Sequence, residues 1–377
     1  MSRKRGNGEG SISRRKGGGW MAQYAAHTAE GRRRRTLYGK TRAEAAAKLA
    51  KALSDREDGL VFDAGRLTVG DYLDRWLDAS VKGTVRMTTY QGYERIVRLH
   101  IGPSLGRIRL KDLTPANVRG LYRERLQAGL SPRMVQLVHV TLHKALKQAV
   151  MDGLLPRNAT DAVKAPRPER KEISPLSPEQ ARALLRAAEG DRLEAVYALA
   201  VGTGMRQGEL LGLKWEDVDL EGGTVQVRRT LSTATGGGFS FGPPKTAKSR
   251  RSVKLPGTAT SALKKHRRAQ LEERMRLAEL FADHGLVFAS RVGTPISRQD
   301  LVTRSFKPLL RRAGLPDVRF HDLRHTCATL LLGRSVHAKL VQELLGHSTI
   351  SVTLDTYSHV LPGMSDASAG AMDEALG

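Results

Sequence analysis

Towards its C-terminal end the chain sets Phe320-His321-Asp322-Leu323-Arg324-His325-Thr326, then Leu345-Gly346-His347-Ser348, then Asp355-Thr356-Tyr357-Ser358-His359. Upstream, Thr203-Gly204-Met205-Arg206-Gln207-Gly208-Glu209 supplies a second arginine, and Pro244-Lys245-Thr246 places a lysine in a basic, strand-like segment. A phenol, arginines, a lysine and histidines are the groups that phosphodiester exchange without a metal requires. A tyrosine phenol can attack phosphorus and later leave again, so the energy of the broken bond is stored in a phosphotyrosyl link and returned. Charge building on the non-bridging oxygens needs planar, permanently cationic donors, and the arginine fork suits this better than lysine. The departing oxygen needs a proton, which a lysine or a histidine can deliver.

Singly, none of these residues means much. A tyrosine is usually a core-edge residue, an arginine a surface helix residue, a histidine a satisfied structural one. The specificity lies in several independent short motifs standing in one order. Two other motifs fail on inspection. His321-Asp322-x-x-His325 imitates the H-E-x-x-H zinc pattern, but an aspartate replaces the general-base glutamate and Arg324 would put a cation beside the metal. Gly237 and Gly242 have phosphate-loop spacing, but Pro243 and Pro244 stand where Lys and Ser/Thr should.

Composition points to a polyanion as partner. Lys+Arg number 63 against Asp+Glu 38, a net charge of +25 with a pI near 10.6. The excess is spread: 15 basic against 6 acidic side chains in residues 1–60, 19 against 10 in 61–170, and 29 against 22 in 171–377. A basic tail would concentrate it at one end, whereas a clamp around a duplex needs it throughout. Nucleic acid and an anionic membrane are the two candidates. No apolar run reaches the roughly 18–20 residues needed to span a bilayer, and the basic N-terminus lacks a signal peptide's apolar core. Nucleic acid is therefore the expected partner, with no membrane. The single cysteine, Cys327, fits a reducing cytoplasm and reads as a small packed hydrophobe rather than a nucleophile.

The elements that must position these groups fall into three segments. At 377 residues the chain has room for two or three domains with cores of their own. In residues 1–60, short alternating stretches around Ile12, Trp20 to Tyr24 and Thr36 to Tyr38 are separated by glycine turns, and Thr41-Arg42-Ala43-Glu44 opens an alanine-rich helix. Arg32 to Arg35 reads equally as a solvated turn or as part of a DNA-facing sheet. Gly59 to Arg66 reads as a linker. Residues 67–166 hold four helices: an apolar stripe of Val69, Tyr72, Leu73, Trp76 and Leu77, a second stripe through Tyr93 and Ile96, and starts at Thr114-Pro115 and Ser131-Pro132. Trp76 and the tyrosines here read as core. After a proline-rich linker, residues 173–377 begin a helix at Ser177-Pro178 and an apolar helix over 192–202. A Gly-Thr-Gly break, two strands at Val225 and Val253, and further helices to about Leu361 complete the segment.

The order Arg206, Lys245, His321-x-x-Arg324, His347, Tyr357 resembles the catalytic domain of the tyrosine recombinases, the phage-integrase family. The resemblance implies a mainly α fold with small β-sheets, two of them expected here. An arm-type DNA-binding domain would lie over 1–60, a helical, SAM-like core-binding domain over 67–166 and a catalytic domain over 173–377. It implies Tyr357 as nucleophile, Arg206 and Arg324 as the phosphate clamp, and His347 as donor to a non-bridging oxygen. Lys245 would be the general acid, and His321 would accept or relay the phenol proton. Glu209 would orient a catalytic arginine. It further implies double-stranded DNA attachment sites, a homotetramer on DNA, an excisionase and a host DNA-bending protein as partners, and neither cofactor nor metal. Within the family the alternative is a chromosome-dimer resolvase, which usually lacks the arm domain. Outside it the alternatives are a DNA-binding architectural protein and a type IB topoisomerase.

Overall fold

A computed structural model of the chain describes residues 10–28, 31–57, 67–169, 174–233, 238–244, 249–357 and 372–376. Contacts divide it into two compact units, residues 1–171 and 172–377.

The first unit opens with three antiparallel strands, β1 (Ser11–Arg14), β2 (Trp20–Thr28) and β3 (Gly31–Gly39), in the order β1-β2-β3. Helix α1 (Arg42–Glu57) covers one face, and Ala22, Tyr24, Ala45, Leu49 and Ala52 form the core between them. Thr41 caps α1 by accepting from the Glu44 amide at 3.1 Å, while the Glu44 carboxylate reaches back to the Lys40 amide at 2.8 Å. The run Arg32 to Arg35 lies in β3 and not in a turn, so the strand reading holds; Arg34 and Arg35 are exposed.

A separate apolar core belongs to four helical stretches. These are α2 (Val69–Trp76), prolonged by a π turn to Val81; α3 (Met87–Ile96), prolonged through α4 (Gly102–Leu105); α5 (Pro115–Gln127); and α6 (Pro132–Met151). Their starts are locally encoded. Thr68 caps α2, Thr114 caps α5 and Ser131 caps α6, and in the last two a proline occupies the first turn, where its missing N–H costs nothing. Trp76 is buried, and the Tyr72 hydroxyl donates to the Ala145 carbonyl at 2.7 Å, so these aromatics are structural.

In the second unit α7 (Pro178–Ala187) starts at the Ser177 cap, and α8 (Glu194–Thr203) is buried along most of its length. A helix that is apolar all round must be enclosed, and α8 packs against α10 (Gly257–Leu277) and α13 (Asp322–Leu332). Between α8 and α10 the chain forms α9 (Gln207–Leu211), a sheet of β4 (Val218–Asp219), β5 (Thr224–Val227) and β8 (Arg251–Lys254), and a hairpin of β6 (Thr230–Thr233) and β7 (Phe239–Gly242). The strands expected at Val225 and Val253 are both present, and these two residues pair across the sheet. The hairpin is a third sheet that the sequence reading did not contain, because its glycine-rich connection masks the strand signal. The unit closes with α11 (Arg298–Asp300), α12 (Lys307–Arg312), α13, α14 (Ala338–Leu345) and α15 (Ile350–Tyr357).

Two glycines end helices at places that matter below. Gly204 terminates α8 with φ +60°, and Gly346 terminates α14 with φ +66°. In that left-handed region a side chain is strained. A Cβ at Gly204 would also lie 2.4 Å from Leu345.

Candidate active site

Helix ends assemble the site. Arg206 is the N-cap of α9, and its amide donates to the Glu209 carboxylate at 3.0 Å while its guanidinium pairs with the same group at 2.8 Å. Its second nitrogen donates to the Gly346 carbonyl at 3.3 Å. Arg324, on the first turn of α13, is 3 % exposed and donates through Nη1 to the Gly204 carbonyl at 2.8 Å. Each arginine is thus steered by a carbonyl at the end of a helix, where no intrahelical donor competes. The Arg324 Nη2 is buried and has no hydrogen-bond partner among the described residues. A buried cationic donor without a partner costs stability, and a phosphate oxygen is the acceptor its planar fork fits.

Glu209, expected to orient an arginine, lies between two of them. Its buried carboxylate meets Arg206 and also Arg251, the latter at 3.1 Å. Burial opposes its ionisation, but the charges of Arg251 and Arg206 outweigh that and hold its carboxyl below the usual range. Arg251 was missed in the sequence. From β8 it donates to the Leu344 carbonyl at 2.6 Å and to the Ser249 carbonyl at 3.0 Å, joining the sheet and Glu209 to the end of α14. Its only signal was a place in an arginine-rich strand, where alternation turns one arginine of the pair inwards.

His347 follows the Gly346 cap. Gln342 holds the turn, donating to the His347 carbonyl at 2.9 Å and accepting from its amide at 3.1 Å. The His347 ring meets the Thr353 hydroxyl through Nδ1 at 2.8 Å. With Nδ1 accepting from that hydroxyl, Nε2 carries the proton and can donate.

Tyr357 ends α15. It is buried among Ala328, Leu332, Val341 and Leu345, and its hydroxyl lies 2.6 Å from Nδ1 of His325. His321 stands at the N-cap of α13, its ring edge-on to that of His325 with centroids 5.2 Å apart. Arg206, His321, Arg324, His347 and Tyr357 therefore lie within one neighbourhood of the second unit. Lys245 lies outside the described residues. Asp322, of the zinc-like motif, is engaged by Arg319 at 2.7 Å. Among the described residues no group of three His, Cys, Asp or Glu could hold a metal ion. Cys327 is buried, and burial raises its thiol to about 12, so it packs as a hydrophobe.

The electrostatics follow from three guanidinium groups near one carboxylate, Glu209, which pairs with Arg206 and Arg251 but not with Arg324. Burial, then the neighbouring Arg206, brings Arg324 down to about 9, still charged at neutral pH. Burial and the charges of Arg324 and Arg206 push His347 down to about 3, and burial with His321 pushes His325 down to about 4. Burial lifts the Tyr357 phenol to about 12 against the pull of Arg324. A phosphodiester anion would supply the missing negative charge. Before it arrives the histidines are neutral hydrogen-bonding groups rather than further cations.

The histidine shifts set a stability window. An unfolded histidine takes its proton near 6.5, whereas folded His325 and His347 resist it down to about 4 and 3. The unfolded chain binds more protons between those values, so stability is full above about 6.5 and is lost as pH falls towards 4. We expect thermal melts without DNA to show about 1–2 kcal/mol less stability at pH 5 than at pH 7 for each such histidine, and His347→Asn to reduce that difference. An unchanged difference in the variant refutes the assignment to His347.

A mainly helical scaffold that gathers two arginines, histidines and a buried tyrosine defines a tyrosine recombinase. The chain belongs to the phage integrase family: that family's domain matches residues 175–363, and the phage integrase N-terminal SAM-like domain matches residues 68–126. It is thus a site-specific DNA recombination enzyme. It is 35 % identical to a tyrosine recombinase XerC-like protein of Caldanaerobacter subterraneus subsp. tengcongensis, over 87 % of this chain and 88 % of that one. It is 32 % identical to an integrase of Streptomyces ambofaciens, over 89 % and 87 %. Among solved structures, the Tn1549 transposon integrase in complex with a circular intermediate DNA superposes with a TM-score of 0.70 at 24 % identity, covering 82 % of this chain and 99 % of that one. A λ integrase tetramer bound to a Holliday junction gives 0.57 at 21 %, covering 94 % and 96 %. At those identities the likeness is one of fold. No helix among the described residues is long and apolar enough to cross a membrane.

Proposed function

We propose that this enzyme integrates a phage or another mobile element by cutting and rejoining paired attachment sites in double-stranded DNA. Tyr357 attacks the scissile phosphorus and forms a 3′-phosphotyrosyl link. Arg206 and Arg324 hold the non-bridging oxygens, His347 donates to one of them, and Lys245 protonates the departing 5′ oxygen. By resemblance the phenol proton would pass to His321. The observation that carries this reading is the buried Nη2 of Arg324, which has no hydrogen-bond partner among the described residues and belongs to a side chain close enough to Arg206 and Tyr357 to shift or feel their charges. Trapping the enzyme on a nicked core site and sequencing the DNA-linked peptide tests it: Tyr357 is expected, and attachment at another residue overturns it.

Four subunits acting on two sites would exchange strands in pairs, as the assembly of λ integrase on a Holliday junction suggests. An excisionase and a host DNA-bending protein would then set direction, with the enzyme cytoplasmic and on the nucleoid when bound to DNA. Residues 1–60 would form an arm-type domain, supported by the sheet with its own core and by exposed Arg14, Arg15, Arg34 and Arg35. Tethering a second DNA-binding module raises its effective concentration at a flanking sequence. Removing residues 1–60 should therefore abolish recombination of a site with flanking arm repeats, yet leave cleavage of an isolated core site. Both reactions need one fixed salt concentration, because phosphate contacts are screened. Normal recombination by the truncated enzyme, with an unchanged flanking footprint, would favour the resolvase reading.

A further inference from the structure

The resemblance gives the proton of the nucleophile to His321, the first residue of the His-x-x-Arg motif. The geometry points elsewhere. The Tyr357 hydroxyl lies 2.6 Å from Nδ1 of His325, and their ring centroids are 5.6 Å apart. Among the described residues no hydrogen bond joins Tyr357 to His321. We propose that His325, rather than His321, holds the Tyr357 phenol and exchanges its proton during cleavage and ligation. The inference rests on Tyr357 being the nucleophile.

Helix geometry explains why the two histidines divide in this way. His321 is the N-cap of α13 and His325 lies one turn further in, so both face the same side. Helix α15 brings its last residue to the level of the second. His321 instead feels the charges of Arg324 and Arg206, which, after burial, hold its imidazole below the usual range. The groups that act on His325 are His321, Asp322, Arg319 and Arg324 from α13 and the turn before it, Tyr357 from α15, and His347 from the turn after α14. Burial, then His321 and the two arginines, outweigh Asp322, so His325 is neutral and a lone pair on Nδ1 can take the phenol's hydrogen bond.

In cleavage the phenol O–H bond breaks and an N–H bond forms at Nδ1. The phenolate oxygen bonds to phosphorus, and the bond from phosphorus to the 5′ oxygen breaks. That oxygen leaves with the electron pair and takes a proton from the general acid. Ligation reverses each transfer: the 5′ hydroxyl displaces the phenolate, and Nδ1 returns the proton to it.

The test uses the full-length protein on nicked core sites carrying either an ordinary 5′ oxygen or a bridging 5′ sulfur at the scissile position. The sulfur leaves without protonation, so a defect that persists on it lies with the nucleophile and not with the leaving group. His325→Ala should slow adduct formation by about 10²–10⁴-fold on both substrates, with binding of the core site retained. His325→Asn keeps a hydrogen-bonding group at the Nδ1 position but no base, and should be similarly slow. A rate within about tenfold of the native enzyme for either variant on the sulfur substrate overturns the proposal; rescue by Asn alone would make His325 a positioning residue. A larger loss in both, exceeding that of His321→Ala, sustains it. If the native adduct maps to a residue other than Tyr357, the nucleophile assignment itself falls. If it maps to Tyr357 while both His325 variants cleave normally, only this inference falls.

Discussion

Tyr357→Phe is expected to bind its core site as the native enzyme does, yet form no covalent adduct and no recombinant. The expected loss in strand cleavage is at least about 10⁵-fold, the scale seen when a nucleophile is removed outright. The variant separates chemistry from folding because of how the ring is held. Its apolar contacts with Ala328, Leu332, Val341 and Leu345 remain, and only the hydroxyl and its bond to His325 are lost. One such hydrogen bond is worth about 1 kcal/mol, which moves the melting temperature by only a few degrees. Gel-shift affinity and a thermal melt beside the cleavage assay decide the matter. Cleavage at the native rate refutes the nucleophile, and a collapsed melt shows that Tyr357 is a structural residue.

Arg324→Lys should slow cleavage by about 10²–10³-fold and weaken DNA binding by less than tenfold. A lysine keeps one charge but offers no fork, so it cannot satisfy the Gly204 carbonyl and a phosphate oxygen from fixed directions at once. Donors preorganised for the transition state act on rate more than on ground-state affinity. Arg206→Lys should behave similarly, since its guanidinium is set between Glu209 and the Gly346 carbonyl. Both variants should melt close to the native enzyme, because lysine keeps the positive charge and much of the length of the side chain it replaces. Single-turnover cleavage at saturating enzyme, compared with affinity at the same salt, provides the measurement. Equal losses in rate and affinity would show that the arginine anchors DNA and does no more.

Much of this was legible in the chain because it is set by short-range physics. Helix starts at Thr114, Ser131 and Ser177 are written in one capping residue and the proline after it. The breaks at Gly204 and Gly346 are written in residues that tolerate positive φ. Chemistry-bearing side chains cluster at such ends, so Arg206, Glu209, Arg324, His347 and Tyr357 could be picked out by motif and order. The charge excess in every segment likewise needs no fold to be read.

What tertiary structure alone decided is which group meets which. His321 and His325 are equivalent to any argument from spacing, four residues apart on one helix. The docking of α15 against α13 and α14 makes only the second a partner of the phenol. Arg251 looks like any arginine of a basic strand until β8 pairs with β5 and turns it towards Glu209 and the Leu344 carbonyl. The β6–β7 hairpin was hidden because glycine weakens the alternation by which strands are recognised. Even the partners of the two arginines are carbonyls of remote helix ends, and a backbone carbonyl carries no sequence signature. Residue types and local turns are encoded within a few positions of the chain, whereas hydrogen-bond partners across well over a hundred residues exist only once the core has packed.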